Sequence, residues 1–251
     1  MRLSGFALVI TWSLLSTGRS AAASVVAIPA SADNTLFVSP SGHLSNGVGD
    51  YLFAGTSFAE ETRRALIKFD IAAAVPAGAT ITGASLQLHM SRTPAGSEPV
   101  ALHRVLADWG EGASDAPGEE GAGGNAMPGD ATWLHTFYSD QFWSQPGGDF
   151  DPVASASVDV IGIGYYTWAS TPLLVVDLQH WLDNPGSNYG WMLLGNEGGY
   201  PTAKRFDSRE NPDLNVRPVL TISYVPEPTT LSVLGLLLPG IFLKKRCRSR
   251  Q

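Results

Sequence analysis

The sequence has one cysteine among 251 residues, and that residue, Cys247, lies in the C-terminal tail. The residues before it therefore form no disulfide bond with one another, although export would permit one. They also have no catalytic cysteine and no cysteine-ligated zinc site. The span 33–224 is long enough to bury an apolar core without disulfide bonds.

Basic residues are scarce outside the two ends of the chain. Residues 24–225 contain nine Lys and Arg against 22 Asp and Glu, which is a formal net charge of −13. A surface of this charge repels phosphate backbones, which excludes nucleic acid as a partner. The acidity favours solubility outside the cell and leaves the binding of a divalent cation open.

Apolar runs occur only at the two ends, and neither has the roughly 20 residues of a standard membrane span. The first, residues 6–15, follows a basic residue and precedes small residues at Ala21 and Ala23. This order is typical of a secretory signal peptide. We predict a signal peptide over residues 1–23, removed by signal peptidase before Ser24. A buried N-terminal helix or a retained anchor is the alternative.

The C-terminal residues 226–251 follow a three-part order. Pro226, Glu227 and Pro228 come first, an apolar run over 231–243 follows, and the chain ends in a basic tail. The tail is formed by Lys244, Lys245, Arg246, Arg248 and Arg250. Basic residues directly after an apolar helix keep that end of it in the cytoplasm. The residues before the helix are therefore expected outside, which agrees with the signal peptide.

This order resembles the PEP-CTERM sorting signal, which exosortases recognise in Gram-negative bacteria that make extracellular polysaccharide. The resemblance implies transient anchoring in the inner membrane, cleavage near the motif and loss of the apolar helix. It places the mature protein at the cell envelope, on the outer surface or outside the cell. An ordinary C-terminal transmembrane anchor is the alternative.

The central part of the sequence has the pattern of short strands separated by turns. Residues 64–71 alternate apolar and polar, and Pro76 and Gly78 follow in a predicted turn. One short helix is predicted over 176–184, with Asp177 as its cap. We predict an all-β fold, a single antiparallel β-sandwich over 32–224. The Gly-rich insertion 110–130 is predicted to be a functional or disordered loop.

Nine segments of this central part form an ordered set, namely residues 64–70, 76–82, 84–88, 103–112, 131–133, 176–182, 188–190, 206–210 and 217–220. In this order they resemble DNRLRE-type domains. The resemblance implies a jelly-roll-like β-sandwich found on secreted bacterial and archaeal proteins, some of which act as carbohydrate-binding modules.

The sequence favours a binding or structural role over catalysis. It lacks the HExxH and Gly-x-Ser-x-Gly patterns of common hydrolases. Trp133, Tyr138 and Trp143 lie close together beside the insertion, and aromatic rings in loops suit glycan contact. Four other large aromatic residues sit on apolar faces and are predicted to pack in the core: Trp109, Trp168, Trp181 and Trp191. A secreted hydrolase or lyase acting on polysaccharide, and a passive spacer or coat component, are the alternatives.

No cofactor is indicated with certainty, but calcium is a candidate. Asp149 and Asp151 follow two glycines, and hard cations take oxygen ligands from carboxylates and from backbone carbonyls that glycine can turn inward. The alternative is a solvated turn. The predicted partners are signal peptidase, an exosortase and extracellular polysaccharide.

Overall fold

Strands dominate the chain, as the alternating pattern predicts. The computed structural model describes residues 22–227, so the predicted signal peptide up to Ala21, the motif residue Pro228, the apolar run and the basic tail lie outside the described residues. The strands are β1 Ser24–Pro29, β2 Ala32–Phe37, β3 Leu44–Ser45, β4 Tyr51–Thr56, β5 Thr62–Lys68, β6 Thr80–Arg92, β7 Glu98–Val105, β8 Gly124–Asn125, β9 His135–Phe137, β10 Gln141–Phe142, β11 Phe150–Val160, β12 Gly164–Trp168, β13 Trp191–Leu194, β14 Lys204–Asp207 and β15 Val219–Val225. The helices are α1 Ile71–Ala74 and α2 Pro172–Asp183, with a 3-10 turn at Pro185–Ser187.

Eleven strands form one curled sheet. Their order is β1-β15-β6-β14-β4-β5-β13-β7-β11, with β12 beside β6 and β2 beside β5. Every strand pair in the described residues is antiparallel. The prediction of a mostly β, antiparallel protein is therefore confirmed.

The longest strand, β6, joins several others. Its first part pairs with β15, its middle part pairs on the other side with β12, and its last residues pair with β14. Leu86, Leu88 and Met90 are fully buried at alternate positions, as expected for a strand with one face on the core. Helix α2 packs against β6 and β11.

Large aromatic side chains fill the core. Trp168, Trp181 and Trp191 are among the largest fully buried side chains, and the rings of Trp181 and Trp191 meet edge to face with centroids 4.6 Å apart. Trp109 belongs to a smaller second apolar cluster. The prediction that these four tryptophans pack in the core is confirmed.

Helix α2 begins earlier than predicted. Pro172 is its first residue, and the Thr171 hydroxyl caps it by accepting a hydrogen bond from Leu174 N. Asp177, the predicted cap, is instead buried in the middle of the helix, where it accepts hydrogen bonds from Trp191 Nε1 and Ser155 Oγ. Threonine followed by proline is a strong helix start, because proline has no N–H to leave unpaired at the first position.

Two further boundaries differ from the prediction. Strand β5 ends at Lys68, and Asp70 caps the four-residue helix α1 where the sequence pattern suggested that the strand continued. Strand β1 pairs with β15 along its whole length, so the sheet begins before residue 32. In the described residues, no helix has the length and apolar character needed to cross a membrane.

Candidate functional site

The aromatic residues predicted to contact glycan are used mainly for packing. Trp143 is only 5% exposed, and its indole N–H donates to Thr132 O at 2.9 Å. Trp133 is half-buried, with the guanidinium of Arg64 4.9 Å from its ring centre. Tyr138 is half-buried and meets the ring of His135 edge-on at 5.0 Å. Trp143 therefore cannot stack on a ligand from solvent.

The predicted calcium ligands are also occupied by the protein. The two oxygens of Asp149 accept backbone hydrogen bonds from Ser144 and Gln145 at 2.8 and 3.0 Å. One oxygen of Asp151 accepts from Val153 N at 2.9 Å, and the other lies 3.4 Å from Arg104 Nη2. Because these carboxylates already have protein partners and do not share a cluster, the geometry gives no support to calcium here.

Three carboxylates do converge elsewhere. Oxygens of Asp33, Glu111 and Glu210 lie within 4.8 Å of one another. Arg209 Nη1 donates to Glu111 Oε1 at 2.8 Å and to Glu210 Oε1 at 2.5 Å. Carboxylate oxygens suit a divalent cation, but the guanidinium already supplies a positive charge between two of them.

Burial and like charge raise the pKa of two of these groups. The pKa of Asp33 lies well above its usual value because the carboxyl is buried and faces Glu210. The pKa of Glu210 is raised by burial, against the opposing effect of Arg209. A retained proton relieves the excess negative charge that one arginine leaves. The three carboxylates come from β2, the start of the insertion and the segment after β14, so the cluster connects these three parts of the fold.

The Gly-rich insertion is ordered by buried carboxylates. Glu120 accepts hydrogen bonds from Asn46 Nδ2, Asp50 N and Tyr51 N at 2.8 to 3.0 Å. Asp130, fully buried, accepts from three backbone N–H groups inside the insertion. Burial raises the pKa of both groups. These contacts attach the insertion to the sheet, so it is not a disordered loop.

A groove of about 480 Å³ lies beside this insertion. It continues into a smaller cavity of about 160 Å³ that shares much of its wall. We call the two together the Phe58 groove. The main groove is lined by Phe53, Phe58, Arg92, Thr93, Pro94, Glu119, Gly121, Ala203 and Arg205.

An exposed aromatic ring stands at this groove. Phe58 lies in the turn between β4 and β5 and is 74% exposed. The Ser57 hydroxyl holds the turn by accepting hydrogen bonds from Ala59 N and Glu61 N. Phe53 projects from β4 and is nearly buried, so the groove has one ring in its floor and one at its edge.

Charged side chains also line the groove. Glu119 Oε2 lies 2.7 Å from Arg92 Nη1 and 2.5 Å from Arg205 Nη1. Arg205 also lies over the ring of Tyr51, 3.7 Å from its centre, and donates to Ser91 Oγ. Hydrogen bonds from Arg205 and then Arg92 lower the pKa of Glu119, so this carboxylate stays ionised at neutral pH.

A buried lysine holds the loop behind the groove. Lys204 is fully buried, and its Nζ donates to Gly96 O at 2.5 Å. Burial lowers the pKa of this amine. The Thr93 hydroxyl donates to Ala203 O at 3.0 Å. Together these bonds position the wall that Thr93 and Pro94 form.

A second cavity, of about 650 Å³, contains the predicted residue Asp149. Arg64 lines this cavity, donates to Glu197 through two N–H groups at 2.7 and 2.9 Å, and also donates to Gly147 O. The Glu197 side chain is 28% exposed, whereas Glu119 in the Phe58 groove is 70% exposed. A ligand can therefore displace Glu119 more easily than Glu197, which makes the Phe58 groove the better candidate.

Sequence reasoning missed the Phe58 groove. Phe58, Arg92, Glu119 and Arg205 come from four separate parts of the chain, and no local pattern connects them. The signal that was present is a large aromatic residue in a short polar turn. No protein-family model matches the chain, and no curated protein is significantly similar to it.

Proposed function

We propose that this chain is an exported, non-catalytic protein of the cell envelope or extracellular matrix that binds polysaccharide in the Phe58 groove. The observation that carries the proposal is that the exposed ring of Phe58 and the guanidinium groups of Arg92 and Arg205 line one groove. Aromatic faces suit the apolar C–H surfaces of sugar rings, and a few placed polar groups fix a ligand's orientation.

The rim favours a polysaccharide that carries carboxylate groups. Arg92 and Arg205 share one carboxylate, Glu119, and arginine binds carboxylates with paired N–H donors. Glu119 is mostly exposed, so a carboxylate on a sugar residue can take its place between the two guanidinium groups. The acidic surface elsewhere would confine such a ligand to the groove.

The groove is poorly suited to glycosidic cleavage. Glycosidases typically need two carboxyl groups across the scissile bond, one of them protonated as the acid. Among the described residues that line the Phe58 groove, Glu119 is the one carboxylate, and its lowered pKa keeps it ionised. A secreted hydrolase or lyase remains the alternative for the test below.

We propose in addition that the fold is a jelly-roll-like β-sandwich and that the chain is exported and sorted by an exosortase. The curled antiparallel sheet supports a jelly-roll-like β-sandwich of the DNRLRE type. Pro226 and Glu227 directly follow the last strand, which suits a PEP-CTERM signal that an exosortase cuts after the domain has crossed the inner membrane. Ser24 starts β1, which suits cleavage by signal peptidase before it.

The test is binding of acidic and neutral polysaccharides to residues 24–227, measured on a glycan array and by titration calorimetry. Phe58→Ala should weaken binding about tenfold or more, equivalent to about 1.4 kcal/mol. Phe142→Ala is the matched control, because Phe142 is also exposed (62%) but lies away from the groove. Equal loss in both variants, or release of reducing ends or unsaturated sugars, would overturn the proposal.

A further inference from the structure

Strand β6 connects two distinct ends of the ectodomain. Its first residue, Thr80, pairs with Val225 of β15, and its last, Arg92, pairs with Arg205 of β14. At about 3.3 Å per residue, a 13-residue strand extends about 40 Å. Features at its two ends are therefore far apart.

Both chain ends leave the described domain at the start of β6. Strands β1 and β15 are antiparallel, with Ser24 opposite Tyr224. The first residue of the predicted mature chain therefore lies beside the end of the last strand. Pro226 and Glu227 follow at once, and the side chain of Glu227 lies against Gly78, where an added Cβ would come within 2.5 Å of it. We call this region the chain-end pole.

The Phe58 groove lies at the other end of β6. Arg92 is the last residue of the strand, and Thr93 and Pro94 continue the groove wall. Arg205, which pairs with Arg92, lines the same groove. The groove is therefore separated from the chain-end pole by the length of the strand.

We propose that the ectodomain binds polysaccharide in this groove while it is still held at a membrane through its C-terminal residues, because attachment and binding use opposite ends of β6. This rests on the groove being the polysaccharide site proposed above. Only residues 226–230 separate β15 from the apolar run, and five residues at 3.3–3.6 Å each reach at most about 18 Å, less than the length of β6. The net charge of −13 on residues 24–225 further repels an anionic lipid surface.

The absence of cysteine before Cys247 allows a direct test. Residues 24–251 with Cys247→Ser would be placed in phosphatidylcholine–phosphatidylglycerol vesicles that contain a headgroup energy acceptor. One donor dye would be attached at Val25→Cys, at the chain-end pole, or at Ser97→Cys, in the loop behind the groove. Both positions are exposed. Transfer should be clearly stronger from residue 25; equal transfer, or stronger transfer from residue 97, would overturn the inference.

A second measurement compares polysaccharide affinity between the vesicle-bound chain and the free unit 24–227, which lies within a compact unit of its own. The two affinities should agree within about twofold. If the free unit binds and the vesicle-bound chain does not, the inference is wrong although the proposed function stands. If neither binds, the proposed function itself is wrong. If the chain does not enter vesicles, the membrane attachment on which the inference depends is wrong.

Discussion

The surroundings of individual carboxyl groups in this protein favour different protonation states. Asp33 is almost fully buried beside Glu210, which disfavours its charged form. Glu119 is exposed between two arginines, which favours its charged form. Two acidic residues of the same formal charge are therefore expected to affect stability in opposite directions as the pH changes.

The buried group gives the first prediction. Because the pKa of Asp33 is raised on folding, the native state holds its proton longer than the unfolded state does. The contribution of Asp33 to the free energy of unfolding should therefore fall as pH rises from about 3.9, its unfolded pKa, through its raised native pKa. Asp33→Asn should remove that fall and make the protein more stable than the wild type at pH 7, because the amide has no charge to bury.

Urea unfolding at pH steps between 4 and 8 measures this effect. The variant keeps an oxygen that can accept the hydrogen bond from Arg209 N, which Asp33 accepts at 2.8 Å. Glu119→Gln is the control: its stability relative to the wild type should fall as pH rises through the acidic range, because the lowered pKa of Glu119 makes the wild type gain stability there. An Asp33→Asn variant whose stability follows the wild type at every pH would contradict the interpretation.

At the scale of elements, the insertion 110–130 depends on hydrogen bonds from distant residues rather than on its own helices or strands. Its only strand, β8, has two residues and pairs with β3. Glu120 supplies the main connection, because it accepts three hydrogen bonds from the segment 46–51. Without such partners, buried N–H groups are costly.

Glu120→Ala should therefore lower the free energy of unfolding by about 2–3 kcal/mol, since it leaves one buried and two part-buried donors without an acceptor. Glu119→Ala, at the neighbouring residue with an exposed side chain, should lower it much less, because ion pairs in contact with water contribute little to stability. Chemical denaturation gives both values, and hydrogen exchange should show faster exchange across 113–130 in the first variant only. Similar losses in the two variants would contradict the role of Glu120.

The start of α2 gives another prediction at this scale. Thr171→Ala removes the hydroxyl that accepts from Leu174 N at 3.0 Å, and should cost about 1 kcal/mol. A helix that began near residue 176 would keep its cap in this variant and lose only the hydrogen bond that Thr171 donates to Ser155 O. Thr167→Ala on strand β12, outside the helix, serves as the comparison for a threonine-to-alanine change. Circular dichroism during thermal unfolding measures the difference.

At the scale of the whole molecule, the first two residues of the proposed sorting motif directly follow the folded domain. Strand β15 ends at Val225, one residue before Pro226. The proposed exosortase must therefore act close to the last paired strand. A change in the motif should alter the destination of the protein without altering the stability of the domain, because neither Pro226 nor Glu227 belongs to the hydrophobic core.

The combined change Pro226→Ala and Glu227→Ala should leave the protein in the inner-membrane fraction of a host that has an exosortase. The unchanged chain should appear in the outer-surface or extracellular fraction. Fractionation with immunodetection measures the distribution, and a matched thermal-unfolding curve for residues 24–227 confirms that folding is intact. Equal distribution of both chains would show that the motif is not a sorting signal.

Local pattern determined much of the secondary structure. Alternation predicted β5, because a strand with one buried face repeats every two residues. It also placed four tryptophans correctly in the core. It failed at the start of α2 and at α1, where capping by Thr171 and Asp70 decides the boundary rather than apolar spacing.

The sequence by itself determined the β-rich character, the acidity of the domain and the order of its terminal segments, because these depend on composition and on neighbouring residues. Only the tertiary structure decided which aromatic rings are exposed and which charged groups meet. Trp143 packs inside, whereas Phe58 stands at a groove. Long-range pairing of β4, β6 and β14 brings Arg92 and Arg205 to that groove. The same pairing separates that groove from the chain ends by the length of β6.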